Sequence, residues 1–166
     1  KILKIYLTNI KLLNANLKKL SRKWINIPLL SRTHGQAASP STIGKELKVF
    51  TIRIDREIKK ISDITPLAKF SGAVGNYHAL DLAVSNIDWI KLTKRFIKNS
   101  NVEQNRITTQ IEPHDWIAEM LQIITRINNI SIDLSQDLWI YISNEIFKLK
   151  LNMNEIGSST MPHKVN

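Results

Sequence analysis

The chain has 166 residues, enough to bury about two-thirds of its unfolded surface in one domain, so core size is not limiting. It contains no cysteine, which excludes disulfides and thiolate chemistry, fits a reducing compartment, and leaves four histidines and 14 acids for acid–base work. The formal net charge of +10 invites a nucleic-acid reading, but the lysines are scattered along nearly every segment and no zinc-finger, RNP or Gly/Arg-rich sequence occurs, so nucleic-acid binding is not expected.

The first segment places Leu3, Tyr6, Ile10, Leu13, Leu17, Leu20 and Trp24 three or four residues apart, with Lys and Asn on the other faces. This predicts a long amphipathic helix packed nearly parallel to another, running until Pro28 ends it. The pattern opens without a cap, as expected of a piece of a longer chain. Its charged residues exclude the apolar block of a signal peptide, and no apolar run in the sequence approaches the ~20 residues of a membrane span. A soluble, cytoplasmic protein with no membrane partner is expected.

Residues 31–40, Ser-Arg-Thr33-His34-Gly35-Gln36-Ala-Ala-Ser-Pro, read as a polar connector. Ser39 or Ser41 can cap the helix that follows, where Ile43, Leu47, Phe50, Ile54, Ile58 and Ile61 form a matching stripe. His34, in a polar turn beside Thr33 and a glycine, is a candidate for function as well as for a structural role. Residues 63–66 break the second helix, and Gly72 and Gly75 then allow a close backbone approach next to Asn76 and His78. They are not a dinucleotide fingerprint, which needs a third glycine and a preceding strand. Gly44-Lys45 is not a phosphate loop, since Glu46 stands where Ser or Thr is required.

A shorter helix is expected over 86–98, with Ile87, Ile90 and Ile97 inward. Residues 108–115, Thr-Thr-Gln110-Ile-Glu-Pro-His114-Asp115, lead into the longest pattern: Ile117, Leu121, Ile124, Ile127, Ile130, Leu134, Leu138 and Tyr141, a helix of roughly eight turns. Asp133 and Asp137 lie one turn apart, a spacing compatible with a metal but more simply read as two solvated carboxylates. No sustained strand alternation occurs. The fold class expected is therefore all-α: long near-parallel helices in a bundle, with polar connectors at the helix ends.

The last ten residues gather a glycine, three hydroxyls, a histidine, a lysine and an amide. No His-Glu-x-x-His or calcium-loop pattern is present, so no metal site is expected. There is no Gly-x-Ser-x-Gly elbow, although Ser158, His34 and Asp115 are nominally a hydrolase triad. The residue types equally allow proton transfer, with a histidine as acid and an activated hydroxyl beside Lys164 as base.

This terminal run, Gly157-Ser158-Ser159-Thr160-Met161-Pro162-His163-Lys164-Val165-Asn166, resembles the signature loop of the fumarase/aspartase superfamily, Gly-Ser-Ser-x-Met-Pro-x-Lys-x-Asn, at every fixed position. Within that superfamily His163, the run Ser31-Arg-Thr-His34-Gly-Gln36 and the run Thr109-Gln110-Ile-Glu-Pro-His114-Asp115 look like the bacterial long-form adenylosuccinate lyases. Ala37 and Ser39 depart from it, where proline and threonine are common.

The resemblance covers the whole chain. It implies β-elimination of fumarate from adenylosuccinate and from SAICAR, small-molecule substrates of purine synthesis, by a homotetramer whose active sites are shared among subunits. It implies no metal or organic cofactor.

By resemblance Ser158 is the base and His34 the general acid, while Thr33, Gln110, Lys164 and Asn166 bind substrate. Ser159, His114 and Asn76 are weaker candidates, and His78 is read as structural. Because family members have several hundred residues, 1–166 is expected to be an internal portion, mainly the central helical bundle and ending in the loop 157–166, and to be inactive by itself. Argininosuccinate lyase, another lyase of the superfamily, and a non-catalytic helical assembly module are the competing readings.

Overall fold

The computed structural model describes residues 2–150, 157–161 and 163. Its order is α1 (Ile2–Lys23), β1 (Pro28–Thr33), β2 (Gln36–Thr42), α2 (Ile43–Asp63), β3 (Leu67–Ala68), α3 (His78–Ala83), α4 (Trp89–Lys98), β4 (Glu103–Gln104) and α5 (Asp115–Ser143). The chain is mostly helical, as its periodicities predict. No helix among the described residues is long and apolar enough to cross a membrane. Two compact units are formed, Lys1–Asn128 and Asn129–Asn166.

In the first unit α1 and α2 pack together through the stripes seen in the sequence. Leu17, Ile43, Leu47, Phe50, Ile54 and Ile61 are buried. At the far end Ile61, Ile123 and Ile127 form a cluster against which Leu3, Tyr6, Leu7 and Ile10 of α1 and Met120 and Ile124 of α5 pack. Removing this apolar surface from water, at about 25 cal/mol per Å², is the main force holding the three helices together. Polar groups complete the joint. Glu57, buried on α2, accepts hydrogen bonds from Arg126 Nε of α5 (2.8 Å) and from Lys60 Nζ (2.7 Å). Tyr6 donates to Asn128 Oδ1 at 3.1 Å.

The stripes need correction in detail. Leu13 and Leu121 are exposed, and buried Asn14, Ser21 and Ile123 occupy facing positions instead. Each polar substitute has a partner: Asn14 donates to Asp55, and Ser21 to the Gly44 carbonyl. The shorter helix starts at Trp89 rather than 86, so Ile87 precedes it; within the helix Ile97 is buried, Ile90 is 38% exposed and Thr93 takes the inward position.

The larger correction is the connector after α1. Residues 28–42 are an antiparallel β-hairpin, with Pro28 opposite Thr42 and Thr33 opposite Gln36. Apolar alternation does not signal it, because β2 is exposed over most of its length and only Leu29 of β1 is buried. The hairpin is made by its turn: His34 and Gly35 both take positive φ, 52° and 76°, the pairing that matches strand twist in a two-residue loop. Its root is fixed where α1 ends and α2 begins. The Ile43 and Gly44 amides donate to the carbonyls of Ile27 and Trp24, both at 3.0 Å. Thr42, rather than Ser39 or Ser41, caps α2 by accepting from the Lys45 amide. The donors that a helix start leaves open are thus satisfied by the turn that follows α1 and by Thr42 at the end of β2.

The second unit holds the C-terminal part of α5, where Ile130 and Leu134 are buried. Beyond Ser143 the chain folds back, with Ile146 and Phe147 amides donating to the Tyr141 carbonyl and the Phe147 ring edge-on to Tyr141 at 5.7 Å.

Candidate active site

The chemistry-bearing residues of the described chain lie on three local structures. The first is the hairpin tip. Thr33 and His34 are exposed there, and Thr33 Oγ1 lies 3.0 Å from His34 Nδ1. This contact fixes the ring while leaving Nε2 for another partner. In the imidazolium form Nδ1–H donates to Thr33, and Nε2–H is the proton available for transfer. Arg32 ties the turn together by donating to the Gly35 carbonyl at 3.2 Å. The left-handed backbone at His34 is a strain of roughly 1–2 kcal/mol for a residue with a Cβ, which places a histidine at the apex of a turn that glycine or asparagine would adopt more readily.

The second structure is built from residues 69–76 and 103–114. Parallel pairing of β3 with β4 brings the two segments side by side, with Leu67 opposite Glu103 and Ala68 opposite Gln104. Gly75, at φ 83°, approaches Thr108 so closely that a Cβ would overlap the Thr108 carbonyl oxygen. The Gly72 amide donates to the Asn76 carbonyl at 2.7 Å and closes the turn. Lys69 Nζ donates to the carbonyls of Gly72 (3.3 Å), Thr109 (3.1 Å) and Gln110.

At the next turn polarity is inverted, since Ile111 is 65% exposed and Glu112 only 5%. Glu112 Oε1 accepts from Asn105 Nδ2 at 3.0 Å, while Oε2 lies 2.7 Å from the His114 amide and 2.8 Å from its ring Nδ1. Burial pushes the Glu112 carboxyl up, but these hydrogen bonds and the His114 charge outweigh it and hold its pKa below the ordinary carboxylate value. His114 takes φ 65°, is exposed, and immediately precedes α5. Asn76 and Gln110 are also exposed. Beside Asn76 a cleft of about 590 Å³ opens, lined by residues 75–78, 87–90 and 106–108 together with Asp81. His78, read from the sequence as structural, is an exposed member of this wall.

The third structure is the serine loop of the second unit. Ser158 is half-buried and Ser159 exposed. The Thr160 and Met161 amides both donate to Ser158 Oγ at 3.3 Å, and the Thr160 hydroxyl is 3.2 Å away. Backbone N–H groups aimed at an oxygen favour its anionic form, and the oxygen that receives them here is Ser158 Oγ. Lys164 and Asn166, expected to bind substrate, lie outside the described residues.

Sequence reasoning thus found residues that share two local structures in the first unit: Thr33 with His34, and Asn76 with Gln110 and His114. It missed Lys69, Asn105 and Glu112. Glu112 stands inside the motif quoted for Gln110 and His114, but an acid beside a proline does not announce that it is buried. Lys69 has no motif at all.

The family model described as "Lyase" matches residues 2–166. The chain is 51% identical over 151 residues to adenylosuccinate lyase of Vibrio cholerae, covering 90% of this chain and 33% of that protein. It is 47% identical over 150 residues to adenylosuccinate lyase of Escherichia coli K12, with the same coverage, and 46% identical over 153 residues to that of Dictyostelium discoideum. The chain therefore spans about a third of the length of the curated relatives it matches.

Among solved structures, a fumarate lyase from Mesorhizobium sp. BNC1 superposes with a TM-score of 0.69 at 24% identity, over 86% of this chain and 33% of that one. A class II fumarase from Schistosoma mansoni gives 0.65 at 22% identity, over 96% and 38%. These two likenesses speak for the fold. With its helical frame and a family match over nearly its whole length, the chain belongs to the lyase family that this model describes.

Proposed function

We propose that this chain is the central portion of an adenylosuccinate lyase, which eliminates fumarate from adenylosuccinate to give AMP and from SAICAR to give AICAR. The observation that carries this reading is the Ser158 hydroxyl, set in a matched signature loop and receiving two backbone amides. In the proposed reaction Ser158, as alkoxide, removes the proton from the carbon next to a succinyl carboxylate. The electron pair left behind forms the double bond of fumarate as the carbon–nitrogen bond breaks, and His34 Nε2 gives its proton to the departing nitrogen.

A serine hydroxyl is a weak acid, so the alkoxide needs the amides, the charge of Lys164 and exclusion of water. Lys164, Asn166, Gln110 and Thr33 hold the substrate's polar groups, and Thr33 also contacts the His34 ring. Acid and base act on opposite sides of the bonds that change, which residues from separate segments or separate subunits supply. The proposed assembly is a homotetramer with shared active sites, and the proposed compartment the cytoplasm.

The test uses the full-length protein, followed by the loss of adenylosuccinate absorbance and, in parallel, by cleavage of argininosuccinate. Ser158→Ala and His34→Gln are each expected to lower kcat by roughly 10²–10⁴ while substrate still binds. Cleavage of argininosuccinate alone would overturn the substrate assignment, an inactive full-length protein the enzymatic one, and near-normal turnover in either variant that residue's role.

A further inference from the structure

Lys69 is partly buried, and its ammonium reaches the carbonyls of Gly72, Thr109 and Gln110, the last two 40 and 41 residues further along the chain. An ammonium carries three N–H donors and no acceptor. All three are committed to main-chain oxygens, so this lysine has none left for a substrate. The three oxygens converge on one point, where their partial negative charges repel unless a cation sits between them. A charge-assisted bond to each is stronger than a neutral one.

Two further contacts hold the same stretch. Gly75 lies against the Thr108 carbonyl on one side, and Glu112 fixes Asn105 and His114 on the other. Between these anchors Gln110 is exposed. We infer that Lys69 is a positioning residue, which pins the backbone of Thr109 and Gln110 to the 72–76 turn and thereby sets the aim of the Gln110 side chain. The inference rests on the reading of Gln110 as a substrate-binding group.

The experiment is a double-mutant cycle of Lys69→Met and Gln110→Ala in the full-length protein, with hydrogen exchange of residues 109–111 measured alongside turnover. Lys69→Met is expected to raise KM for adenylosuccinate about tenfold or more, with kcat within about threefold, because a contact shared by ground state and transition state is lost. Exchange at 109–111 is expected to quicken. Adding Lys69→Met to Gln110→Ala is expected to cost nothing further, as residues acting through one another do not add.

An unchanged KM, or losses that add in full, would overturn the inference. If Lys69→Met does not fold, Lys69→Arg takes its place, since a planar guanidinium keeps the charge but cannot satisfy three oxygens set around an ammonium. A wild-type protein that does not cleave adenylosuccinate, yet whose 109–111 exchange quickens in the variant, would remove the role in substrate binding and leave the anchor standing.

Discussion

Gly44→Ala is a substitution for which two physical effects predict opposite signs. Alanine is the better helix former by up to about 1 kcal/mol, so propensity alone predicts a more stable α2. Packing predicts the reverse. A Cβ on Gly44 would lie 2.5 Å from the Ile25 Cα and would overlap the Ser21 carbonyl, and both obstacles are main chain that cannot rotate away.

Relief requires the end of α1 and the start of α2 to separate by roughly 1 Å, an overpacking strain of about 1–3 kcal/mol. The same movement stretches two bonds made across this point, the buried one from Ser21 Oγ to the Gly44 carbonyl at 2.7 Å and that from the Gly44 amide to the Trp24 carbonyl at 3.0 Å. Weakening each costs about 1 kcal/mol. These losses come to about 3–5 kcal/mol, and a propensity gain of at most about 1 leaves a net destabilisation of about 2–4 kcal/mol.

Because this joint is the root of the hairpin that carries His34, turnover is expected to fall as well. Thermal unfolding of the full-length variant, followed by circular dichroism, should show a lower transition, and the adenylosuccinate assay a lower kcat. A transition equal to or above the parent's would refute the packing argument and show that propensity wins.

Two other outcomes follow from the core and the buried acid. Ile127, fully buried against Ile61 and Ile123, should cost about 2–5 kcal/mol when changed to Ala and about 1 kcal/mol when changed to Val, and equal losses in the two variants would contradict the packing seen. Glu112 has a folded-state pKa below its ordinary 4.5, so its contribution is fully present above that value and is lost as pH falls through the depressed one. The protection of residues 105–114 against hydrogen exchange, relative to the intrinsic rate at each pH, should therefore fall on acidification in the parent. In Glu112→Gln this protection should be lower already at neutral pH and less sensitive to acid. The same acid response in parent and variant would place the titrating group elsewhere.

The helices were legible because burial of an apolar stripe repeats at the helical period, and α1, α2 and α5 follow the spacing of their Leu and Ile residues closely. Where polar residues took the stripe's place, a specific partner had replaced generic burial. Asn14 and Ser21 face inward because Asp55 and the Gly44 carbonyl are there to meet them. The hairpin was not legible because its strands bury little and its register comes from the backbone of two turn residues, for which a histidine gives weak notice.

For the site, the order of residues along the chain was enough to mark Ser158, His34 and Gln110, since a motif is a local property of sequence. It could not mark Lys69 or Glu112, whose work depends on groups brought to them by folding: carbonyls some forty residues away for the lysine, and an asparagine and a histidine around a buried turn for the acid. Sequence by itself determined the long helical segments, though not the short α3, and marked the motif residues of candidate chemistry. Only the tertiary structure decided what holds those residues in place, because a charge or a close backbone approach acts through distance in space and leaves no period along the chain.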